Sequence, residues 1–589
     1  MTEPPLTHSR RSFVIGILST AAAHCFGQGM SARKAPVQPR NKPSGIPFEA
    51  RFTDVARRAG LNLTTIYGSP DHNEYILEAI GCGCAFIDYD NDGWIDLFLL
   101  GGTRLAEPLN GSGIRLYKNN RDGTFTDVTV RAGLAKTWWG CGVCVADYNN
   151  DGFDDLFVTG WGENVLYRNN GDGTFSDVTQ ASGLKQSAGR WGTGCTFLDY
   201  NRDGNLDLFV ANYIGGFDPA KAPKPGMASN CQYAGMPVLC GPRGFPFGQH
   251  SLYRNNGNGT FTDVSTQSGI AKARNSYGLT AIAADFDDDG WPDIYVACDS
   301  TPSLLFLNNH DGTFREEGAL RGVAYSEDGQ EQAGMGAAVN DYDLDGHLDI
   351  FKTNFADDTS NLYRNDGKGS FDDVTRKVGL GVENRFVSWG AGIVDLDNNG
   401  LPDLFAVTGN VYSNLEKLSP NYPLKSSRLL FRNLGNGRFE ELLTEGGTAI
   451  ADRHVSRGCA FGDFDNDGDL DILIVNLNEA PSLLRNDVTS DNHWLKVKLI
   501  GQKSNRSAIG ARVVVKSGDQ IQTQEIQSQS SFLSCNDPRL HFGLGAANKA
   551  AVRIRWPNGD WESLPEVSSH QLVTVKEGVG IVPTNGWNK

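Results

Sequence analysis

Beyond its first thirty residues the chain has no run of eighteen apolar residues, so the mature protein is expected to be soluble, without a membrane-spanning helix. Basic residues are in deficit: 53 Lys and Arg face 70 Asp and Glu, a net charge of −17. Such a surface repels phosphate backbones and anionic lipid headgroups, which argues against nucleic acid or an acidic membrane as partner. The ten histidines are scattered, and neither G-x-S-x-G nor H-E-x-x-H occurs. No familiar nucleophile or zinc-protease constellation is therefore offered, and His454 with Arg457 is the one pair with a claim to acid–base chemistry.

What the chain does have is glycine, 70 in 589 residues, in turn-forming clusters such as "GDG" and "NGNG" and with no collagen period. That is the composition of many short strands joined by tight turns. With 39% hydrophobic content the chain can bury a large core and is long enough for more than one structural unit.

The N-terminal segment stands apart. "SRRSFVIGILSTAAA" pairs Arg10 and Arg11 with a short apolar run and small residues, and residues 1–30 resemble a twin-arginine export signal. An ordinary anchor helix would need a longer run. Cys25 as a lipid-attachment site fits poorly with His24 before it. Residues 31–51 read as a linker, and the destination is expected to be extracytoplasmic, periplasmic or secreted.

One pattern, D-x-D-x-D-G-x-x-D with Asn substitutions, recurs seven times. Its acceptor positions one, three, five and nine are Asp88, Asp90, Asp92 and Asp96, then Asp147, Asn149, Asp151 and Asp155, then Asp199, Asn201, Asp203 and Asp207. The fourth and fifth copies supply Asp285, Asp287, Asp289 and Asp293, and Asp341, Asp343, Asp345 and Asp349. The last two supply Asp395, Asp397, Asn399 and Asp403, and Asp463, Asp465, Asp467 and Asp471.

A stretch of small residues precedes each loop, with glycine five positions before the first aspartate in six copies and Thr280 in the other. An apolar strand follows, then segments such as "LYRNNGDGTFSDV" that carry a hairpin signal. Four strands per unit and seven units predict an all-β fold, a seven-bladed propeller over residues 52–487 with the small-residue strand innermost. "FTDVARRAGL" from Phe52 looks like a fourth strand with no unit before it, and the seventh unit stops near Asp487 without one. The N-terminal strand should complete the last blade and remove two open edges. Residues 488–580, with alternating segments such as "HWLKVKL", read as a small C-terminal β domain.

Carboxylates at alternate positions before a glycine bend suit Ca²⁺, which takes six to eight oxygens in flexible geometry. An EF-hand is excluded because most copies lack a glutamate at position twelve and both flanks alternate like strands. Up to seven Ca²⁺ are expected, with weaker binding in blades two, three and six, where Asn149, Asn201 and Asn399 replace carboxylates. The competing reading is that these residues only satisfy turn backbone through Asx hydrogen bonds. Fourteen charges on seven ions would offset most of the −17.

These repeats resemble the FG-GAP/VCBS type of integrin-like propellers. The C-terminal part, with "HFGLG" at His541 to Gly545 and "RWPNG" at Arg555 to Gly559, resembles the ASPIC/UnbV domain found in cartilage acidic protein and its bacterial relatives. The resemblance implies a calcium-binding propeller, and it leaves open an enzyme of a natural-product pathway.

Other residues carry several readings. Cys82, Cys84, Cys141, Cys144, Cys195 and Cys459 lie on or beside innermost strands, as buried thiols, a disulfide or, least supported, metal ligands. Cys231 and Cys240, nine apart in the insertion from Tyr213 to His250, suit a local disulfide. That insertion, and another from Asn410 to Ser427, would lie over one face of the ring as a cap or as decoration. Trp139, Trp191 and Tyr277 share a register eight residues before the loop aspartate, as packing or as a shelf for sugar rings. The expected function is an exported binding or adhesion module for a protein or glycan. The alternative is an enzyme acting on polysaccharide or a secondary metabolite at the propeller's axial face.

Overall fold

The computed structural model describes residues 35–584 except 110–112, 187–188, 229–230, 234 and 419. The export signal expected over residues 1–30, and Cys25 within it, lie outside the described residues.

Seven of the sheets are the four-stranded antiparallel units that the repeat predicts. Their innermost strands are Cys84–Ile87, Trp139–Ala146, Gly192–Leu198, Gly278–Ala284, Gly334–Asn340, Ser388–Val394 and Ser456–Gly462. Each touches the next, and the last touches the first, so the ring is closed. The closing blade is built from both ends of the propeller: Phe52–Asp54 pairs with Ser482–Asn486, with Phe52 opposite Asn486.

Crowding at the axis explains the small residues. A Cβ on Gly194 would lie 2.5 Å from the backbone nitrogen of Ala281 in the next blade, and one on Gly390 would lie 2.7 Å from that of Cys459. Neighbouring backbones pass where a side chain would stand. The ladder also slips at this place in blades two to seven, the local shift of a β-bulge.

Both ends of the axis are filled. The C-terminal domain packs two small sheets, one built on His493–Ile500 and one on Arg512–Ser517, around Val497, Val515, Phe542, Ile554 and Trp556. Between two of its strands the chain leaves the domain and enters the ring. There Phe86 and Val143 donate their amides to the carbonyls of Cys535 and Leu533, both 3.1 Å, and Ala337 donates to that of Ser531 at 2.9 Å. Cys195, Asp285, Ala391 and Phe461 donate theirs to the side chains of Gln529, Glu525, Ser531 and Asn536. Six blades thus bond to this one segment and blade four to Glu525 at the end of the strand before it, and Phe532 and Leu533 are fully buried. Nothing in the alternation pattern of the C-terminal domain announces such a plug, because its residues are polar or small except at two positions.

The Tyr213–His250 insertion covers the other mouth. Tyr213 donates its hydroxyl to Asp299 at 2.5 Å, and Tyr233 donates to Asp357 at 2.6 Å, reaching from blade three to blades four and five. Tyr233 also packs on Tyr412 and Tyr422 of the second insertion. Cys231 and Cys240 are joined within the cap.

Residues 35–51, which composition reads as a linker, lie against the propeller. Phe48 and Ala50 are buried, and Arg40 pairs with Glu383 and Glu441. A Pro-rich composition marks an extended chain but not what that chain rests on.

Candidate metal centres

In every blade the aspartate loop joins the first strand to the second, and position nine is the first residue of that second strand. Position four is left-handed in all seven copies, from φ 55° at Arg202 to 61° at Leu344, and the glycine at six ranges from 83° to 102°. The first conformation is tolerated by a side chain and favoured by asparagine, which occupies four of the seven. The second needs glycine. Together they bring positions one, three, five and nine round one point.

Positions one and five serve the turn itself. Asp88 accepts the amides of Asp92 at 3.0 Å and Gly93 at 3.1 Å, and the same pair recurs in every loop. Asp92 accepts from Trp94 at 2.9 Å. Asx chemistry therefore accounts for half of the motif.

Position three is not explained that way. The Oδ1 atoms of Asp90, Asp287, Asp343, Asp397 and Asp465 are buried and meet no hydrogen-bond donor. In those same five blades three carboxylates converge, with one oxygen of each within 4.8 Å of the others. The triples are Asp88, Asp90 and Asp96; Asp285, Asp287 and Asp289; Asp341, Asp343 and Asp349; Asp395, Asp397 and Asp403; and Asp463, Asp465 and Asp471. The outer oxygens of Asp90 and Asp343 are taken by Lys118 and Arg364. Buried, unpartnered oxygens of like charge facing one another are strongly unfavourable unless a cation lies between them.

In blades two and three an amide donor stands at position three. Asn149 donates its amide to Asp151 at 2.8 Å, and Asn201 donates to Asp203 at 3.0 Å. No carboxylate triple forms there among the described residues. Blade six departs from the expectation that Asn399 weakens it as Asn149 and Asn201 weaken theirs. Its substitution falls at position five, where an amide oxygen caps Leu401 at 2.7 Å as a carboxylate would, and its three carboxylates still converge.

Position nine is buried in every blade. Burial, with the loop carboxylates adding, pushes Asp96 up to about 9, and burial likewise pushes Asp155 up to about 9. One oxygen accepts the backbone amide of an asparagine that ends the third strand: Asn119 to Asp96 at 2.7 Å, Asn433 to Asp403 at 2.9 Å, and likewise in every blade. The side-chain amide of that asparagine then reaches the carbonyl at position two of the preceding blade's loop. The sequence carries this residue in plain sight, as the first Asn of "LYRNN" and its variants, but no period or charge singles it out.

The C-terminal domain meets the outer side of the loops with cations. Lys496 pairs with Asp463 at 2.5 Å, both side chains inaccessible to solvent. Arg506 faces Asp147 at 3.6 Å, and Arg512 and Arg555 face Asp285.

The remaining candidates resolve into packing. Trp139, Trp191 and Tyr277 are buried, which removes them as a shelf for sugars. Cys82, Cys84, Cys141, Cys144, Cys195 and Cys459 are free and buried, and burial raises the Cys141 thiol to about 11. His454 pairs with Glu479 at 3.2 Å, while Arg457 is fully buried, stacks on Trp389 at 4.0 Å and is pulled down to about 9 by burial. Among the described residues no helix is long and apolar enough to cross a membrane.

Comparison with known proteins agrees with this architecture. The FG-GAP-like repeat model matches residues 88–158, 147–210, 238–296, 285–351, 341–406 and 425–474. The ASPIC and UnbV model matches residues 501–582. Cartilage acidic protein 1 of Homo sapiens is 28% identical over 327 residues, 54% of this chain and 46% of that protein. The chain thus spans about half the length of this relative. The same protein of Xenopus tropicalis is 26% identical over 509 residues, 81% of this chain and 70% of the relative. Among solved structures, an Agrocybe aegerita lectin described as recognising non-reducing terminal N-acetylglucosamine is 18% identical, with a TM-score of 0.35, over 67% of this chain and 85% of that one. With its repeats matched over more than half of its length, this chain belongs to the FG-GAP repeat family and carries an ASPIC and UnbV domain after its propeller.

Proposed function

We propose that the protein is an exported binding or adhesion module for a protein or glycan, whose propeller is held in shape by Ca²⁺. The observation that carries the metal reading is the set of five orphaned position-three oxygens, each inside a carboxylate triple. Oxygen-only ligands on a flexible loop suit Ca²⁺ over transition metals, which prefer nitrogen and sulfur, and over Mg²⁺, which demands near-ideal octahedral geometry. The ligands would be positions one, three, five and nine, with the backbone carbonyl of position seven. Blades one, four, five, six and seven would bind tightly, and blades two and three weakly.

The binding reading is supported by the filled axis. With a plug at one mouth and a cap at the other, the outer faces and the rim of the cap are the surfaces that meet a ligand. The same closure counts against an enzyme working in an open axial channel. The twin-arginine motif supports export, and the division at residues 487 and 488 separates propeller from C-terminal domain.

The test is an array of glycans and extracellular proteins probed with the calcium-loaded full chain. Binding that is lost on adding chelator and regained with Ca²⁺ is expected. A broad array with no ligand would overturn the binding reading while leaving the metal reading to its own test.

A further inference from the structure

Arg457 is a buried charge in the ring that no carboxylate among the described residues neutralises. Arg457 occupies the position that in the other six blades carries Cys82, Cys141, Thr193, Leu279, Met335 and Trp389. It is 1% exposed. Its guanidinium donates only to backbone carbonyls: to Ala79 at 3.0 and 2.7 Å, Ser456 at 2.8 Å, Gly409 at 3.2 Å and Asn410 at 3.3 Å. No carboxylate of the described residues pairs with it. A buried cation compensated by dipoles alone is costly, and an anion beside it removes much of that cost.

Arg457 lines a cavity of about 170 Å³ at the rim of the cap, where blades six, seven and one meet. The other two charged residues of its lining, Lys425 and Glu479, pair with each other. The cavity therefore carries one net positive charge in a chain of net −17. It also holds an acceptor without a donor: Asn73 Oδ1 is buried and unpartnered. Ser69 and Ser413 add hydroxyls to the lining. At roughly 10–15 Å³ per water the space exceeds a few solvent molecules, yet it falls below the several hundred Å³ of a drug-sized pocket.

We infer that this cavity binds the carboxylate of a hydroxylated acid the size of one sugar ring, with Arg457 supplying the charge and Asn73 accepting a ligand hydroxyl. The inference deepens the binding reading above and rests on it. A terminal uronate of a glycan and a free sugar acid share this chemistry.

Calorimetric titration of the calcium-loaded full chain with D-glucuronate, D-glucose and a short oligosaccharide ending in glucuronate tests it. Glucuronate is expected to bind at least about tenfold more tightly than glucose, through the Coulomb attraction of the buried guanidinium, whose five N–H groups are already engaged by backbone carbonyls. Arg457→Met should cost a similar factor, and Arg457→Lys should restore part of it. Ser413→Trp, which fills the cavity and leaves Arg457 in place, should abolish binding and guards against a charge variant that fails to fold. Tighter binding of the oligosaccharide than of the free acid assigns the site to a glycan end, and the reverse assigns it to a metabolite. No heat with any acid, or equal affinity in folded Arg457→Met, overturns the inference. If the array described above yields a ligand while every acid fails, only this inference falls; if both fail, the binding reading falls with it.

Discussion

The side-chain amide of Asn119 in blade one donates to the carbonyl of Phe464 in blade seven at 2.8 Å, across the seam where the ring closes. Its second hydrogen bond, at 2.9 Å, goes to Ile95 in its own blade. The ring is thus sewn by one asparagine per blade, in addition to the strand pairing of Phe52 with Asn486.

Removing that stitch strands two buried carbonyls. Asn119→Ala should lower stability by about 2–4 kcal/mol, since each unsatisfied buried acceptor costs about 1–3 kcal/mol. Chemical denaturation measures it. Asn120→Ala, on an exposed neighbour bonded only within its own turn, should change stability by less than about 0.5 kcal/mol. Equal effects at the two positions would reject the stitch.

The metal count should follow position three. The wild type is expected to take up five Ca²⁺ tightly, Asn149→Asp six, and Asn149→Asp with Asn201→Asp seven. Equilibrium dialysis against labelled calcium reads the number directly. A count that stays fixed across the three proteins would show that the Asn at position three does not control binding.

Axial crowding predicts that the plug is fixed by the smallest of residues. A Cβ on Gly83 would overlap the carbonyl of Leu533, backbone against backbone, with no side chain free to yield. Gly83→Ala should cost about 3 kcal/mol or more, the upper end of overpacking effects. It should also speed proteolytic release of the C-terminal domain. A variant as stable and as protease-resistant as wild type would contradict a seated plug.

His250, at the end of the cap insertion, gives a pH signature. Its Nδ1 accepts the amide of Asn212 at 3.1 Å and its Nε2 lies 3.0 Å from Ser276, so the buried ring is neutral. Burial lowers its pKa from 6.5 to about 4. The unfolded chain therefore binds the proton first, and stability falls as pH drops from about 6.5 to about 4. The contribution is at most about 3 kcal/mol over that window. His250→Gln should flatten this part of the stability profile, and an unchanged slope would count against it.

Much of this architecture is legible in the sequence because the repeat is a periodic signal. Seven aspartate loops, the small residue five before each, and the displaced strand at Phe52 fix blade number, order and closure. The carboxylate sites are legible as far as residue type allows. What sequence cannot separate is a carboxylate that caps a turn, as Asp92 does, from one left without a donor, as Asp90 is, since that depends on which amide points where. The plug is hidden for a related reason. "QSQSSFLSCND" is polar, and its burial comes from serine and glutamine side chains that replace missing strand partners rather than from hydrophobicity. Arg457 stands out in the sequence only as the neighbour of His454, and its burial follows from the neighbouring blades.

Melting the full chain in excess Ca²⁺ and again in chelator tests the calcium cages most directly. At a hundred times its dissociation constant each ion adds about 2.7 kcal/mol to the folded state. Five such sites should raise Tm by about 10 °C, even in a chain of this size, where each kcal/mol moves it by only about 1 °C. Mg²⁺ at the same concentration should recover little of the shift. Superimposable curves with calcium and with chelator would mean that the converging carboxylates of Asp88, Asp90 and Asp96 and their counterparts hold no ion that the fold depends on.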